Sequence, residues 1–168
     1  MEFKIKERIE FEVNLEKEQN NRRKVIKFLR NFIKLSSIGN SKSQESYPYL
    51  YQNNGPIFKS ADSYPILSAK SGNGKIIGAC VSELYQSGLL HVNLLAVDNK
   101  YRRQGIGLSI LKKIIDFARK HKIHNIQCLS LVSDKESKKF LKKAGFRKVG
   151  KLKKYIGEKD YYLWEYLP

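Results

Sequence analysis

Seven residues at the junction of two apolar runs decide the fold of this chain: "YRRQGIG", Tyr101 to Gly107. An apolar run, Leu89 to Val97, precedes them, and an amphipathic run with apolar residues at helical spacing follows. The two glycines remove Cβ atoms beside the unpaired N–H groups and the positive dipole end of a helix start. The stretch therefore predicts either an ordinary turn or a place where bare backbone meets an anion such as a phosphate.

The spacing of the glycines excludes two common nucleotide-binding loops. A Rossmann fingerprint that began at Gly105 would need a third glycine where the chain has Ile110. A Walker A loop that ended at Lys75 would need a glycine and a hydroxyl residue where the chain has Ala69 and Ile76. The sequence around Lys75 is better explained as a hairpin turn.

The rest of the chain alternates between strand-like and helix-like runs. Three apolar runs upstream of Tyr101 are joined by the short turns SGNGK and YQSG, which predict antiparallel hairpins. Downstream, a helix and the apolar run NIQCLSLV complete a strand–helix–strand unit with a buried strand. A later helix is bounded by a capping box, Ser133 with Glu136, and by Gly145 as its C-cap. In chain order the expected elements are a strand (4–13), a helix (16–35), a short helix (44–51), three strands between 66 and 97, a helix after Gly107, a strand (125–132), a helix (133–144) and two strands (147–154 and 161–167).

Length and composition predict one globular domain. The chain has 168 residues, of which 41% are hydrophobic and 29% charged, and no apolar run reaches the length of a membrane span. The first residues carry charges throughout and lack the apolar core of a signal peptide, so we expect a cytoplasmic protein. Cys80 and Cys128 lie in apolar runs and have no CxxC pattern, which predicts two buried thiols and no metal site.

The net charge of +17 indicates attraction to polyanions. Three kinds of partner fit this charge: nucleic acid, an acidic protein surface and a polyphosphate cofactor. A lysine-rich solvated surface without any such partner fits it as well. Nucleic-acid binding is disfavoured because no recognised nucleic-acid motif accompanies the charge.

The motif and its flanks resemble one enzyme superfamily. Arg102, Gly105 and Gly107 match the pattern [RQ]-x-x-G-x-[GA], with LLAVDNKYRRQGIG around it and FLKKAGFRKVGKLKKY further on. Together these residues resemble the GCN5-related N-acetyltransferase (GNAT) superfamily. The resemblance covers residues 65–168 and implies that residues 1–64 form the variable, substrate-side segment of a single domain spanning 1–168.

The resemblance implies a fold and a reaction. The fold is of the α/β (α+β) class, with a mixed, mostly antiparallel sheet of about seven strands, flanking helices and splayed central strands. The reaction is transfer of an acetyl group from acetyl-CoA to a primary amine of a small molecule, a peptide or a protein N-terminus, by direct attack. The expected protein is a monomer or homodimer without a metal ion or a membrane partner. The alternatives are a non-catalytic acyl-CoA-binding regulatory module and a basic nucleic-acid-associated protein.

The resemblance also assigns residues to acetyl-CoA. The pantetheine arm would pair with the end of a strand, and the pyrophosphate would lie on the backbone of the motif loop. The helix after residue 133 would flank the other side of the cofactor. The expected contacts are Leu95, Ala96 and Val97 for the arm; Arg102, Arg103, Gln104, Gly105, Ile106, Gly107, Leu108 and Ser109 for the pyrophosphate; and Asp134, Phe140 and Lys143 on the flanking helix.

The candidate catalytic residues match the family pattern less closely than the cofactor-binding residues do. Family members often have a tyrosine that protonates the leaving thiolate, but this chain has Leu141 at that position. Tyr155, on the last hairpin, is the expected substitute, with Tyr161 and Tyr162 as further candidates. A general base is often found eleven residues before the motif, where this chain has His91, a residue that can accept a proton near neutral pH. Glu83 is a second candidate, acting through water.

Overall fold

The computed structural model describes residues 10–35, 65–156 and 158–168. Within these ranges the chain forms seven strands, three α-helices and one short 3-10 turn. In chain order they are β1 (Phe11–Leu15), α1 (Gln19–Leu35), β2 (Ile66–Ser71), β3 (Ile76–Leu84), β4 (Leu89–Val97), the 3-10 turn (Asn99–Tyr101), α2 (Ile106–Lys120), β5 (Asn125–Leu131), α3 (Lys135–Lys143), β6 (Arg147–Ile156) and β7 (Lys159–Tyr166).

The strands form one mixed sheet, as the resemblance implied. Their order is β1-β2-β3-β4-β5-β7-β6, and every neighbouring pair is antiparallel except β4 and β5. The two parallel strands are joined through α2, because a parallel pair needs a crossover connection. The predicted mixed, mostly antiparallel sheet of about seven strands is confirmed.

The two central strands part halfway along their length. β4 pairs with β5 only from Leu89 to Val92, opposite Asn125 to Cys128. On the other side of β4, the pairing with β3 skips Asn93, which is the extra residue of a β-bulge. A bulge bends its strand and increases the local twist, so it directs the second half of β4 away from β5. The predicted splay of the central strands therefore begins at this bulge.

The sheet carries an apolar core on each face. α2 and α3 cover one face, where Ile110, Ile114 and Leu141 pack with Val92 and Cys128. α1 covers part of the other face with the residues Val25, Ile26 and Leu29, which pack on Ile66, Ala79 and Val81. Because the bulge adds one residue, it reverses the alternation of β4, so that Leu95 belongs to the α2 core and Ala96 to the α1 core.

The first two elements differ from their predicted bounds, and the part of the predicted strand 4–13 that precedes residue 10 lies outside the described residues. β1 ends at Leu15, and α1 begins at Gln19, because the intervening Glu16 is still held on β2. Its N–H donates to the Ile66 carbonyl (2.8 Å), and its carboxylate accepts from Ser68 Oγ and pairs with Lys70 Nζ (2.6 Å). Glu16 is 3% exposed, so these contacts compensate for burial of its charge.

The cap of α3 also differs from the prediction. Asp134, and not Ser133, is the N-cap: its Oδ1 accepts from the Ser137 N–H (2.9 Å). Gly145 does end the helix as predicted, with φ of 89° and a hydrogen bond from its N–H to the Lys142 carbonyl (3.1 Å). β6 ends at Ile156, two residues beyond its predicted end at 154. β7 runs from Lys159 to Tyr166, whereas the prediction was 161–167. The short helix predicted for 44–51 lies outside the described residues.

Both cysteines are free and buried, as predicted. Burial raises the pKa of the Cys128 thiol to about 12 and raises that of Cys80 as well. Within the described ranges, no group of three or more His, Cys, Asp or Glu residues is arranged to hold a metal ion. No helix in the described part of the chain is both long and apolar enough to cross a membrane.

Candidate active site

The motif loop is anchored to the end of β4 before α2 begins. The carboxylate of Asp98 accepts a hydrogen bond from the Lys100 N–H (3.0 Å), which caps the 3-10 turn. Arg102 then turns back, and its Nε donates to the Val97 carbonyl (3.1 Å). The side chain of the first motif residue thus holds the loop against the strand, and the carbonyl of Val97 is already engaged by this chain's own arginine.

Gly105 leaves open space in front of the first turn of α2. It is the N-cap residue, with φ of 85°, a conformation that disfavours side chains. A Cβ atom built on it would meet no atom within 4 Å. The first bond of the helix runs from the Ser109 N–H to the Gly105 carbonyl (2.9 Å), so the N–H groups of Ile106, Gly107 and Leu108 precede the helical ladder. These donors and the helix dipole make an anion site accessible from solvent.

Gly107 has a different role from the one the sequence predicts. A Cβ on Gly107 would lie 3.2 Å from Cε2 of Phe140 and 3.7 Å from Cδ2 of Leu95. This glycine therefore lets α3 pack closely on the first turn of α2. Ile106 is buried in the core and contributes only its backbone to the loop surface. Of the two motif glycines, only Gly105 has open space in front of it.

An exposed ion pair joins the motif loop to α3. Arg103, whose φ of 65° is unusual for a residue with a side chain, places a guanidinium nitrogen against Oε1 of Glu136. Both side chains are largely exposed. Glu136 was expected to complete a capping box, and instead it holds a positively charged side chain of the motif loop beside the anion site.

The other predicted contacts on α3 have mixed positions. Both oxygens of Asp134 bind Ser137, from its N–H (2.9 Å) and its Oγ (2.6 Å), so this carboxylate is occupied as a helix cap. Lys143 is exposed near the end of the helix. Leu141, which replaces the usual tyrosine, is 6% exposed and belongs to the core. Phe140, like Glu136, reaches the motif loop, where its ring lies against Gly107.

The predicted strand contacts lie along the open edge of β4. Leu95, Ala96 and Val97 pair with β3 through Cys80, Ala79 and Gly78, and their other edge lies beyond the last pair with β5. An unpaired strand edge offers N–H and C=O groups that can pair with an extended ligand. The slot between the diverging strands leads from this edge to the motif loop.

The two candidate bases lie side by side at the narrow end of that slot. His91 on β4 is directly opposite Glu83 on β3, and it precedes by one residue the last β4–β5 pair. Burial lowers the pKa of His91, while the negative charge of Glu83 acts in the opposite direction and raises it. The Tyr85 hydroxyl donates to Glu83 Oε2 (3.2 Å). This arrangement favours a neutral imidazole, which is the form that accepts a proton.

The candidate acids lie on the last hairpin. Tyr155 is on β6, which is the edge strand, and it is 57% exposed with its ring against Tyr161. Burial raises the pKa of Tyr161. Tyr162 lies on the α2 side of the sheet, with the ammonium groups of Lys138 and Lys148 over its ring. The sheet order separates all three tyrosines from β4 by at least one strand.

The sequence did not predict several features of the site. The Arg103–Glu136 pair and the Phe140–Gly107 contact both join residues more than 30 positions apart, so no local pattern predicts them. The bulge at Asn93 has no signal either, since the residue is neither a glycine nor a proline. The pairing of Glu83 with His91 follows only from the hairpin register.

Comparison with known proteins agrees with this geometry. Residues 51–157 match the family model for the acetyltransferase (GNAT) domain. The chain therefore belongs to the GNAT acetyltransferase family. Acetyl-CoA is the cosubstrate of this family, and acyl transfer is its reaction. No curated protein matches the chain.

Solved structures share the fold at low sequence identity. An acetyltransferase from Acinetobacter baylyi, provisionally assigned, has a TM-score of 0.76 at 14% identity, with 95% of this chain and 93% of that one covered. Ribosomal-protein-S5-alanine acetyltransferase from Vibrio fischeri has a TM-score of 0.69 at 21% identity, with 99% and 95% covered. A provisionally named streptothricin acetyltransferase from Bacillus anthracis, in complex with acetyl coenzyme A, has a TM-score of 0.59 at 21% identity, with 64% of each chain covered.

Proposed function

We propose that this chain is an acetyl-CoA-dependent N-acetyltransferase that transfers the acetyl group to a primary amine by direct attack. The observation that carries the proposal is the position of His91, at the narrow end of the slot between β4 and β5 and beside Glu83. A proton acceptor is needed there because an ammonium ion must lose a proton before its nitrogen can attack a carbonyl. The Vibrio fischeri enzyme, a fold neighbour, is by its name a protein-alanine acetyltransferase, which agrees with an amine acceptor.

The motif loop would hold the diphosphate of acetyl-CoA. The backbone N–H groups at the start of α2 supply the donors, and Gly105 leaves the space that a phosphate needs. Arg103 adds a positive charge beside them. The edge of β4 from Leu95 to Val97 would pair with the amide groups of the pantetheine arm through its groups other than the Val97 carbonyl, which accepts from Arg102. The thioester then lies in the slot, on the His91 side.

Two protons leave the acceptor nitrogen during the reaction. His91 takes the first from the ammonium ion, and the neutral nitrogen forms a bond to the thioester carbonyl carbon. The carbon–sulfur bond breaks, the electron pair leaves with the sulfur as a thiolate, and the nitrogen of the new amide loses the second proton. We propose Tyr155 as the group that gives a proton to the thiolate; the second proton from the nitrogen restores the tyrosine, and His91 releases the first to solvent. A thiolate is a tolerable leaving group without an acid, so loss of this tyrosine should slow the reaction and not abolish it.

A thiol-release assay with acetyl-CoA and a panel of primary amines tests this function. We expect amine-dependent release of coenzyme A, and a loss of about 100-fold or more in kcat for His91→Gln, since a general base contributes about 10²–10⁴-fold. His121→Gln is the matched control, because His121 is exposed and stacked on Phe117 at the end of α2. Equal turnover by the two histidine variants would contradict the assignment of the base.

A second candidate function is that of a non-catalytic acyl-CoA-binding module. The burial of Leu141 in the core, where related enzymes have a tyrosine, favours it. The same assay separates the two functions: tight acetyl-CoA binding with no turnover on any amine would support the binding module. The compartment, the domain organisation and the oligomeric state stay as predicted from the sequence. We propose a cytoplasmic enzyme, in agreement with two free thiols, with one domain over 1–168 and residues 1–64 on the substrate side.

A further inference from the structure

A row of polar side chains crosses five strands on one face of the sheet. Glu83 pairs with His91, His91 with Gln127, Gln127 with Glu165, and Glu165 with Arg147. Residues that lie directly opposite each other on paired strands project to the same face. Their chain neighbours on β4, β5 and β7 belong to the core under α2, so the row projects to the opposite face. We call these five residues the polar row.

The polar row lies beside α1 and not beneath it. α1 is the described helix on this face, and its apolar residues pack on β2, β3 and the second half of β4. The row continues from there across β5, β7 and β6. Its first two members are the candidate bases at the narrow end of the slot. The remaining three extend across β5, β7 and β6, away from the open edge of β4.

The polar row is rich in hydrogen-bond acceptors. Glu165, whose side chain is 16% exposed, pairs with Arg147 through one oxygen (2.6 Å), and Glu83 accepts from Tyr85 and has a further interaction. The row thus places two carboxylates on one sheet face of a chain whose net charge is +17. Within residues 10–35, 65–156 and 158–168, no group is hydrogen-bonded to the side-chain amide of Gln127. The residue is half-buried between His91 and Glu165.

We propose that the polar row is the acceptor subsite and that it selects a linear amine with a second ammonium group. This inference rests on the proposed function, because it takes His91 as the base at the reacting end. The distal ammonium would bind Glu165, and the Gln127 oxygen would accept from the acceptor between them. Two strand spacings, about 10 Å, separate His91 from Glu165, which sets the length of the acceptor.

At contact distance the Glu165 carboxylate acts on a bound amine more strongly than distant surface charges do. The +17 surface would by itself favour an acidic acceptor over a polycation. However, the Debye length is about 8 Å at physiological salt, so distant lysines are screened while a half-buried carboxylate in contact with the acceptor is not. The surface charge therefore acts on acetyl-CoA and on encounter, and the row acts on the bound amine.

The first experiment compares hexamethylenediamine with n-hexylamine as acceptors. The diamine has the same carbon chain and a second nitrogen that reaches roughly the length of the row. We expect kcat/KM for the diamine to exceed that for the monoamine by about tenfold or more, since a hydrogen bond to a charged group contributes about 1.5–3 kcal/mol. Equal kcat/KM values for the two amines would contradict the proposed subsite.

Two variants of the row should move this preference in opposite directions. Glu165→Gln removes the carboxylate that binds the distal ammonium and should lower the diamine-to-monoamine ratio about tenfold. Arg147→Gln removes the competing cation, whose side chain is 73% exposed, and should raise the ratio. Glu158→Gln is the matched control, because it removes an exposed carboxylate outside the row and should leave the ratio unchanged. Row variants that keep the ratio of the unmodified protein would overturn the inference.

A binding measurement separates this inference from the proposed function. Hexamethylenediamine is titrated by calorimetry into protein saturated with coenzyme A, and n-hexylamine is titrated in the same way. If the diamine binds more tightly and Glu165→Gln removes the difference, the row is the amine site even if no amine is turned over. If n-hexylamine is acetylated but the two amines bind equally, the proposed N-acetyltransferase function is supported and the polar row is not the acceptor subsite.

Discussion

At the scale of single residues, the site depends on contacts that join distant parts of the chain. Gly105 and Gly107 occur in one motif, yet one faces open space and the other lies against Phe140. The sequence predicts the need for small residues at both positions. It does not distinguish a glycine that admits a ligand from one that admits a neighbouring helix, because Phe140 is brought to Gly107 only by the packing of α3.

The first prediction concerns the pH dependence set by His91. Burial lowers the pKa of His91 in the folded protein below its ordinary value of about 6.5, and Glu83 partly opposes this. The imidazole is therefore neutral at pH 7, and kcat/KM should fall only as the pH drops through the lowered pKa. Glu83→Gln removes the opposing charge, so the pKa of His91 should fall further and the acid limb should move to lower pH.

This shift is measured as kcat/KM against pH for the unmodified protein and the variant. The alkaline side of the profile, set by the acceptor amine, serves as an internal reference that should not move. The same shift has a consequence for stability: the unfolded chain binds the His91 proton more tightly than the folded one, so this residue destabilises the fold below a pH of about 6.5. An acid limb that stays in place in Glu83→Gln would show that the two side chains are not coupled.

The second prediction concerns the Arg103–Glu136 pair. Because both side chains are largely exposed, the pair should contribute less than about 1 kcal/mol to stability. Glu136 competes with a bound phosphate for the Arg103 guanidinium, so Glu136→Gln should raise acetyl-CoA affinity by about two- to fivefold without a change in Tm. Glu158→Gln, which removes an exposed carboxylate outside the motif loop and α3, is the control for the loss of a negative charge. Weaker acetyl-CoA binding by Glu136→Gln would show that the glutamate positions Arg103 for the cofactor.

At the scale of elements, the strand–helix–strand unit around the motif is predictable and its irregularities are not. β4 has the predicted bounds of Leu89 to Val97, because an apolar run between a short turn and a polar loop leaves little choice. The sequence predicts the N-cap of α3 one residue too early. Two capping patterns are offset by one residue there, Ser133 with Glu136 and Asp134 with Ser137, and the structure uses the second. Only the position of Arg103 in three dimensions shows where Glu136 is engaged.

The third prediction concerns the bulge in β4. Asn93 reverses the alternation of the strand, so deletion of this residue would turn Leu95 and Val97 away from the α2 core. We expect the deletion to unfold the protein or to lower Tm strongly, whereas Asn93→Ala, which keeps the extra residue, should cost far less. Thermal denaturation followed by circular dichroism compares the two. A deletion variant that melts at the temperature of the unmodified protein would contradict the role of the bulge.

At the scale of the whole molecule, the sheet order brings the motif loop, the free edge of β4 and the polar row to one slot. The mixed sheet and the anion-binding loop follow from the sequence, since both depend on local patterns and on resemblance. The polar row does not, because it needs the register of four strand pairs. Part of the positive charge has a structural use: Lys138 Nζ donates to the Val132 carbonyl (2.8 Å) and lies over the ring of Tyr162.

The net charge gives a prediction for the alternative of nucleic-acid binding. A solvated lysine surface binds polyanions weakly and loses that affinity steeply with salt, as any charged surface would. We expect duplex and single-stranded probes to bind at low salt only, and acetyl-CoA to displace neither. Binding to one probe sequence at physiological salt would contradict this prediction and would support nucleic acid as a partner.

The central claim is that the backbone around Gly105 binds the diphosphate of acetyl-CoA, and calorimetric titration of acetyl-CoA tests it most directly. The unmodified protein is compared with Gly105→Glu, whose side chain would enter the open space in front of α2 with a negative charge. The left-handed backbone there should cost about 1–2 kcal/mol, so the fold persists and Tm falls only modestly. The account predicts that the unmodified protein binds acetyl-CoA and that the folded variant does not; equal affinity in the two proteins would contradict it.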